Sequence, residues 1–210
     1  MKTLRHLLII AFIFFAAHNV FSQDYQNLAK LICEEINTVR TQPLSYVQYL
    51  ESLIPLFDGK IFNRLIGNPL RTKEGVKAVN EAIKFIKTSK SMNSLVMSEG
   101  LSKAALDHAN DLGLTGLAGH EGSDGSYAEQ RINRYGTWTI RIGENISYGR
   151  DVPRDIVSDL IIDDGVSDRG HRKNIFNPDF NLIGVALGKH AKYGIVCVIT
   201  FAAKYEEKKL

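Results

Sequence analysis

Two β-rich runs near the C-terminus, 182–187 and 195–201, flank a short segment holding Gly188, His190 and Gly194. Branched and aromatic residues on either side of a glycine-bearing turn predict an antiparallel hairpin. An isolated hairpin is marginal in water, so the rest of the chain must supply further strands and a cover. Residues 137–142 read as one more strand. The cover is written upstream at helical spacing: Leu28, Leu31, Ile32, Ile36 and Val39, stopped by Pro43; then Val76, Val79, Ile83 and Ile86; then Leu101, Ala104, Ala105 and Leu112. Asp151 and Pro153 open a further helix carrying Ile156, Val157, Leu160 and Ile161. Helices first, then strands with helices between them and a terminal hairpin, predict an α+β class: a sheet covered by helices, not a doubly wound alternation.

Punctuation refines this plan. Residues 45–54 predict a short second helix before Pro55, and 57–71, with Gly59, Gly67 and Pro69, a loop. Thr72 and Ser98 are placed to cap the helices that follow, the second ending at Gly113. Ser126 with Glu129 forms a capping-box pattern for a helix reaching Tyr135. The charged tail 204–210 is expected to fray.

The N-terminus has a different logic. Lys2 and Arg5 precede an apolar run from Leu7 to Ala17 that ends at His18 and Asn19. A membrane-spanning helix needs about 20 apolar residues, and this run is shorter. With Ser22 at an acceptable cleavage position, residues 1–22 predict a signal peptide and 23–210 a single exported domain, secreted or periplasmic. The whole chain carries a formal charge of +3, and losing Lys2 and Arg5 brings it closer to neutral. Such a balance offers no electrostatic case for nucleic acid or an anionic membrane, and no later stretch predicts a transmembrane segment. Cys33 and Cys197 stand far apart in sequence; export permits a disulfide, and two buried thiols are the alternative.

Three segments carry reactive groups: Gly119-His120 through Ser126; Gly143-Glu144-Asn145; and Asp163-Asp164 through His171-Arg172. Histidines that follow glycine on loops, with carboxylates near, are the raw material of a metal or acid–base site. Spacing alone does not bring them together, since no His-Glu-x-x-His helix is present, and ordinary surface loops remain the alternative. His108, inside an apolar helical stripe, reads as a hydrogen-bonded core residue.

Taken in order, Gly119-His120, Asp124-Gly125-Ser126, Arg131-Ile132, Gly143-Glu144-Asn145 and Gly170-His171-Arg172-x-Asn174-Ile175 resemble the CAP superfamily. It groups the cysteine-rich secretory proteins, the antigen five venom allergens, the plant pathogenesis-related proteins and the bacterial SCP-like extracellular proteins. Ile36-Asn37-x-x-Arg40 and Phe180-x-x-Ile183-Gly184-Val185 are similar to its first helix and a late strand, and Gly170-His171-Arg172 favours the bacterial branch. The resemblance implies an α-β-α sandwich with a three- or four-stranded antiparallel sheet between helical layers. It also implies a cleft where His120, His171 and Glu144 meet a second acidic residue, Asp163 or Asp164.

Three functions follow as expectations. The first is a secreted, non-enzymatic protein whose cleft binds zinc or another divalent cation weakly, or a small-molecule or lipid ligand. Two imidazoles fall short of the three protein ligands usual at catalytic zinc. The second is a zinc-dependent hydrolase of the protease class, with Glu144 as general base; a serine version would recruit Ser123, Ser126 or Ser167, without a Gly-x-Ser-x-Gly elbow. The third is a cell-wall or surface module in which Arg169, Arg172 and Lys173 meet an anionic ligand.

Overall fold

The computed structural model describes residues 24–65 and 67–209; the signal peptide read at 1–22 and the start at Gln23 lie outside them. Residues 24–41 form helix α1. Its buried stripe is Ala29, Ile32, Cys33, Ile36 and Val39. Leu31, expected on that stripe, is instead 42% exposed, because it projects about one residue's turn away from Ile32. The Asn37 amide donates to Leu95 O at 2.9 Å and its carbonyl accepts from Leu95 N at 2.7 Å. Arg40, only 1% exposed, donates to the carbonyls of Asn93, Ile175, Asn177 and Phe180. The Ile36-Asn37-x-x-Arg40 pattern is thus a structural staple that ties α1 to two distant segments.

After a 3-10 turn, Pro43–Tyr46, comes α2, Val47–Leu53. Residues expected as loop form a small antiparallel meander: β1 (Phe57–Asp58), β2 (Ile61–Phe62) and β3 (Leu70–Arg71). Thr72 does not cap the next helix. Its hydroxyl donates to Lys60 O at 2.8 Å, and α3 (Val76–Thr88) begins after Gly75. Val76 sits at the edge of a buried face made by Ala78, Val79, Ala82, Ile83 and Ile86. Two-residue β4 (Val96–Met97) precedes α4 (Glu99–Thr115), where the Ser98 hydroxyl accepts from Leu101 N at 3.2 Å as expected of a cap. This helix runs past Gly113 and ends at Gly116.

The capping box of α5 (Ala128–Tyr135) lies one residue later than expected: Tyr127 is the N-cap, and Gln130, not Glu129, reaches back to the Tyr127 N–H at 3.0 Å. β5 (Gly136–Tyr148) follows, then α6 (Pro153–Ile162), α7 (Gly170–Ile175), β6 (Leu182–His190) and β7 (Gly194–Glu207). The main sheet has the order β4-β6-β7-β5. Its three long strands are antiparallel, including the expected β6–β7 hairpin; only short β4 departs from the antiparallel expectation, pairing parallel to β6.

Strand alternation divides two layers. Ile183, Val185 and Leu187 of β6, with Cys197, Ile199 and Phe201 of β7, pack into the core shared by α1, α2, α3 and α6. Ala186, Val196, Val198 and Ala202 face the other way, against α4. The period of two, carried by a strand buried on both faces, gives the α-β-α sandwich. No helix among the described residues is long and apolar enough to cross a membrane.

Cys33 and Cys197 are buried free thiols in the α1 core. Burial pushes Cys33 up to about 11 and Cys197 up to about 12, so little thiolate forms near neutrality. Native protein is expected to resist thiol reagents at pH 8, and denatured protein to show two reactive thiols. Fewer than two after denaturation under non-reducing conditions would establish a bond instead.

Candidate functional site

The site is built on β5, the edge strand opposite β4. Opposing Cα partners shift by one residue between Thr139 and Ile142, where Ile140 takes a left-handed φ of 77°. One extra residue on one strand is a β-bulge, and it fixes the register beyond it. Ile142 and Ile146 face the α4–α5 layer, and Glu144, between them by alternation, points at α5. The strand read at 137–142 thus runs on to Tyr148, and Glu144 is in mid-strand. Gly143 is required by close approach: a Cβ there would lie 2.9 Å from Asn174 Oδ1 and 3.1 Å from the Phe180 ring.

Glu144 is held from two sides. Arg131 Nη2 donates to its two oxygens at 3.1 and 2.9 Å, and His120 Nδ1–H donates to Oε1 at 2.9 Å. The Arg131 and Glu144 side chains are 2% and 3% exposed, whereas His120 is 49% exposed. Burial by itself would raise the Glu144 carboxyl, but the His120 hydrogen bond and the Arg131 charge outweigh it and hold the group below its usual range. Arg131 also donates to Ser126 O at 2.5 Å and His120 O at 3.1 Å, so one guanidinium fixes both the carboxylate and the loop that bears the histidine.

A second pair repeats the plan. His171, in the first turn of α7 and not on a loop as expected, donates Nδ1–H to Asp163 Oδ1 at 2.6 Å. Asp163 Oδ2 accepts from the His171 N–H at 2.9 Å and the Arg172 N–H at 3.3 Å. Asp163 is the left-handed C-cap of α6, φ 56°, a conformation Asp tolerates better than most residues. Of the two aspartates the sequence left open, Asp163 joins the histidine. Asp164 turns away and accepts from the N–H groups of Lys73 and Glu74 at 2.6 and 2.7 Å, ahead of α3.

The two pairs flank one short piece of β5. The Asn145 amide donates to His171 O at 3.0 Å, and the Asn174 amide donates to Asn145 Oδ1 at 2.8 Å and Glu144 O at 3.3 Å. The approach to His171 is clamped by Arg169, whose guanidinium binds both Glu74 oxygens at 2.6 and 2.7 Å and Glu81 at 2.5 Å. That contact pulls the Glu74 carboxyl down to about 2. Arg172 is 3% exposed and donates to Ile161 O, Ile162 O and Glu81. The basic trio expected to meet an anionic ligand thus loses two members to internal contacts, leaving only Lys173 exposed. Among the described residues, none of Ser123, Ser126 and Ser167 is hydrogen-bonded to a histidine: Ser123 donates to Asp111, and the Ser126 hydroxyl accepts from Arg131 at 3.4 Å.

Among the described residues, no three His, Cys, Asp or Glu side chains are grouped to hold a metal. A separate apolar groove of about 1230 Å³ lies between α1, α4 and β6, lined by Tyr25, Ala29, Met97, Leu106, Leu114 and Leu187 among others. It is near the opposite edge of the sheet from the histidines.

The sequence of the chain matches the model of the CAP cysteine-rich secretory protein family over residues 34–201. The chain belongs to that family. The CAP domain is also 25% identical over 163 residues to the uncharacterized protein YkwD of Bacillus subtilis, a match covering 78% of this chain and 51% of YkwD; the chain thus spans about half the length of that relative. Among solved structures, an outer surface protein of Borrelia burgdorferi is similar at 22% identity and TM-score 0.45, covering 56% of this chain and 80% of that one. An extracellular SCP-domain protein of Bacillus anthracis is similar at 20% identity and TM-score 0.44, covering 54% of this chain and 35% of that one. Arg131, Asn145 and Asn174 belong to the motifs that carry the likeness, yet sequence reasoning assigned none of them a role. An arginine beside Ile132 in an otherwise polar helix was the available signal.

Proposed function

We propose that this CAP domain acts outside the cytoplasm as a non-enzymatic binding protein, in which His120 and His171 hold a divalent cation such as zinc in an exchangeable site. The export reading rests on the leader-like residues 1–22, and the Bacillus anthracis relative is described as extracellular. The observation that carries the metal reading is the matched pair of carboxylate–histidine contacts. Each imidazole gives its Nδ1 proton to a buried carboxylate, which leaves Nε2 of a partly exposed ring as the nitrogen turned to a metal, the arrangement usual behind metal-bound histidine. Two such donors suit weak binding with the other positions left to solvent or ligand. A bound zinc would supply Lewis acidity. Glu144 is a poor general base for a hydrolase, since both oxygens are engaged and its basicity is reduced.

Calorimetric titration with zinc tests this reading. His120→Ala and His171→Ala are each expected to abolish binding. Asp163→Asn, which keeps the shape but weakens the orienting contact, should weaken it by about 10–100-fold. Equal affinity in wild type and His120→Ala would overturn the site.

The groove favours a second reading for an apolar ligand. A lipid chain would take the α1–α4–β6 groove, whose lining is largely apolar, and not the polar histidine cleft. Native mass measurement of purified protein, before and after delipidation, should show a bound species lost on Leu106→Asp; the same mass in both states would remove this reading.

A further inference from the structure

Behind the Glu144–Arg131 pair lies a small polar cavity of about 110 Å³, lined by His108, Asp111, Ser126, Arg131 and Arg134 among others. Two of its lining side chains have a buried nitrogen with no hydrogen-bond partner among the described residues: His108 Nδ1 and Arg131 Nε. These residues are 0% and 2% exposed, so each such nitrogen would otherwise carry an uncompensated desolvation cost.

Their chemistry specifies what they need. His108 Nε2 contacts Gly119 O at 2.9 Å; a carbonyl only accepts, so Nε2 carries the proton and Nδ1 presents a lone pair. Burial lowers the His108 pKa and keeps the ring neutral. Arg131 Nε–H can only donate. A cation is disfavoured beside the guanidinium, and an anion beside the His108 lone pair and the carboxylates of Asp107, Asp111 and Asp124. What remains is a small neutral group that both donates and accepts. The volume exceeds the roughly 10–15 Å³ of such space that one water needs.

We propose that this cavity binds an ordered water that accepts from Arg131 Nε–H and donates to His108 Nδ1, making His108 a positioning residue for His120. The water closes a ring. His108 holds Gly119 O, the next residue is His120, His120 holds Glu144, Glu144 holds Arg131, and the water returns from Arg131 to His108. The Gly119–His120 peptide is gripped at further points, since Tyr148 OH accepts from Gly119 N at 3.0 Å and Arg131 donates to His120 O at 3.1 Å. A helix residue outside the histidine–carboxylate pairs thereby sets where His120 sits, with or without metal.

Heteronuclear NMR of metal-free full-length mature protein tests this. In wild type, His108 should show a protonated Nε2 and an unprotonated, hydrogen-bonded Nδ1, and the Arg131 Nε–H should give a cross-peak to long-lived water. His108→Gln, whose amide can donate to Gly119 O while its oxygen accepts from the water, should retain that cross-peak and the downfield His120 Nδ1–H signal. His108→Leu should lose the first and broaden or shift the second. A folded wild type with no water contact at Arg131 Nε–H, or with His108 protonated at Nδ1, would overturn the proposal even if the leucine variant fails to fold. An unchanged His120 signal in folded His108→Leu would refute the positioning role. Because no metal is present, failure of the zinc reading is a separate result.

Discussion

Arg131→Met should be among the most damaging single changes outside the apolar core, costing about 3–5 kcal/mol at pH 7. The substitution leaves Glu144, whose side chain is 3% exposed, without its principal countercharge, and also frees the carbonyls of Ser126 and His120. Losing one member of a buried ion pair is expensive because the remaining charge stays desolvated. The pH dependence should change sign. In wild type the Glu144 carboxyl is held low, so its contribution is present above the unfolded value of about 4.3 and is lost as pH falls through the lower folded value. In the variant only the His120 hydrogen bond and weaker contacts oppose burial, and the folded value is expected to rise above the unfolded one. The variant's penalty therefore grows as pH rises and shrinks toward pH 4. Urea unfolding at pH 4 and pH 7 measures both slopes. The double variant Arg131→Met/Glu144→Leu should recover much of the loss, as apolar replacements of buried pairs often do. A loss below about 1 kcal/mol at pH 7, the range of an exposed pair, would show that this pair is not the keystone of the site.

Gly184→Val is expected to prevent folding, and Gly184→Ala to cost at least the upper end of the roughly 1–3 kcal/mol usual for overpacking. A Cβ on Gly184 would lie 2.2 Å from Leu101 C and 2.4 Å from Ser102 N. Both are backbone atoms of α4, so no rotamer change relieves the clash. The helix cannot simply lift away, because the Thr200 hydroxyl donates to Leu101 O at 3.0 Å and the α4–sheet core is built on this contact. Thermal unfolding of Gly184→Ala decides the matter: a midpoint within a degree or two of wild type would mean that α4 does not rest on β6 as described.

The likeness to the CAP family placed Gly184 in a late strand, and periodicity placed β6, β7 and the stripes of α1 and α4. These features were legible because they are local: a period of two or of 3.6 is set by backbone geometry and survives any tertiary context. Ser98 was legible as a cap for the same reason. Local signals failed where long-range partners competed. Thr72 was drawn to Lys60 O across the small meander.

For the site, the sequence by itself supplied the reactive groups: His120, His171, Glu144 and a choice between two adjacent aspartates. The tertiary structure made that choice. The left-handed turn at the end of α6 directs Asp163 toward His171, while α3, far upstream in sequence, claims Asp164. It likewise decided that Arg131 is buried beneath Glu144, and that Arg169 and Arg172 bind glutamates of the chain itself instead of facing solvent. Each outcome depends on which remote backbone N–H or carboxylate arrives at hydrogen-bond distance once the layers pack. A periodicity cannot encode such a meeting, because it describes one element at a time.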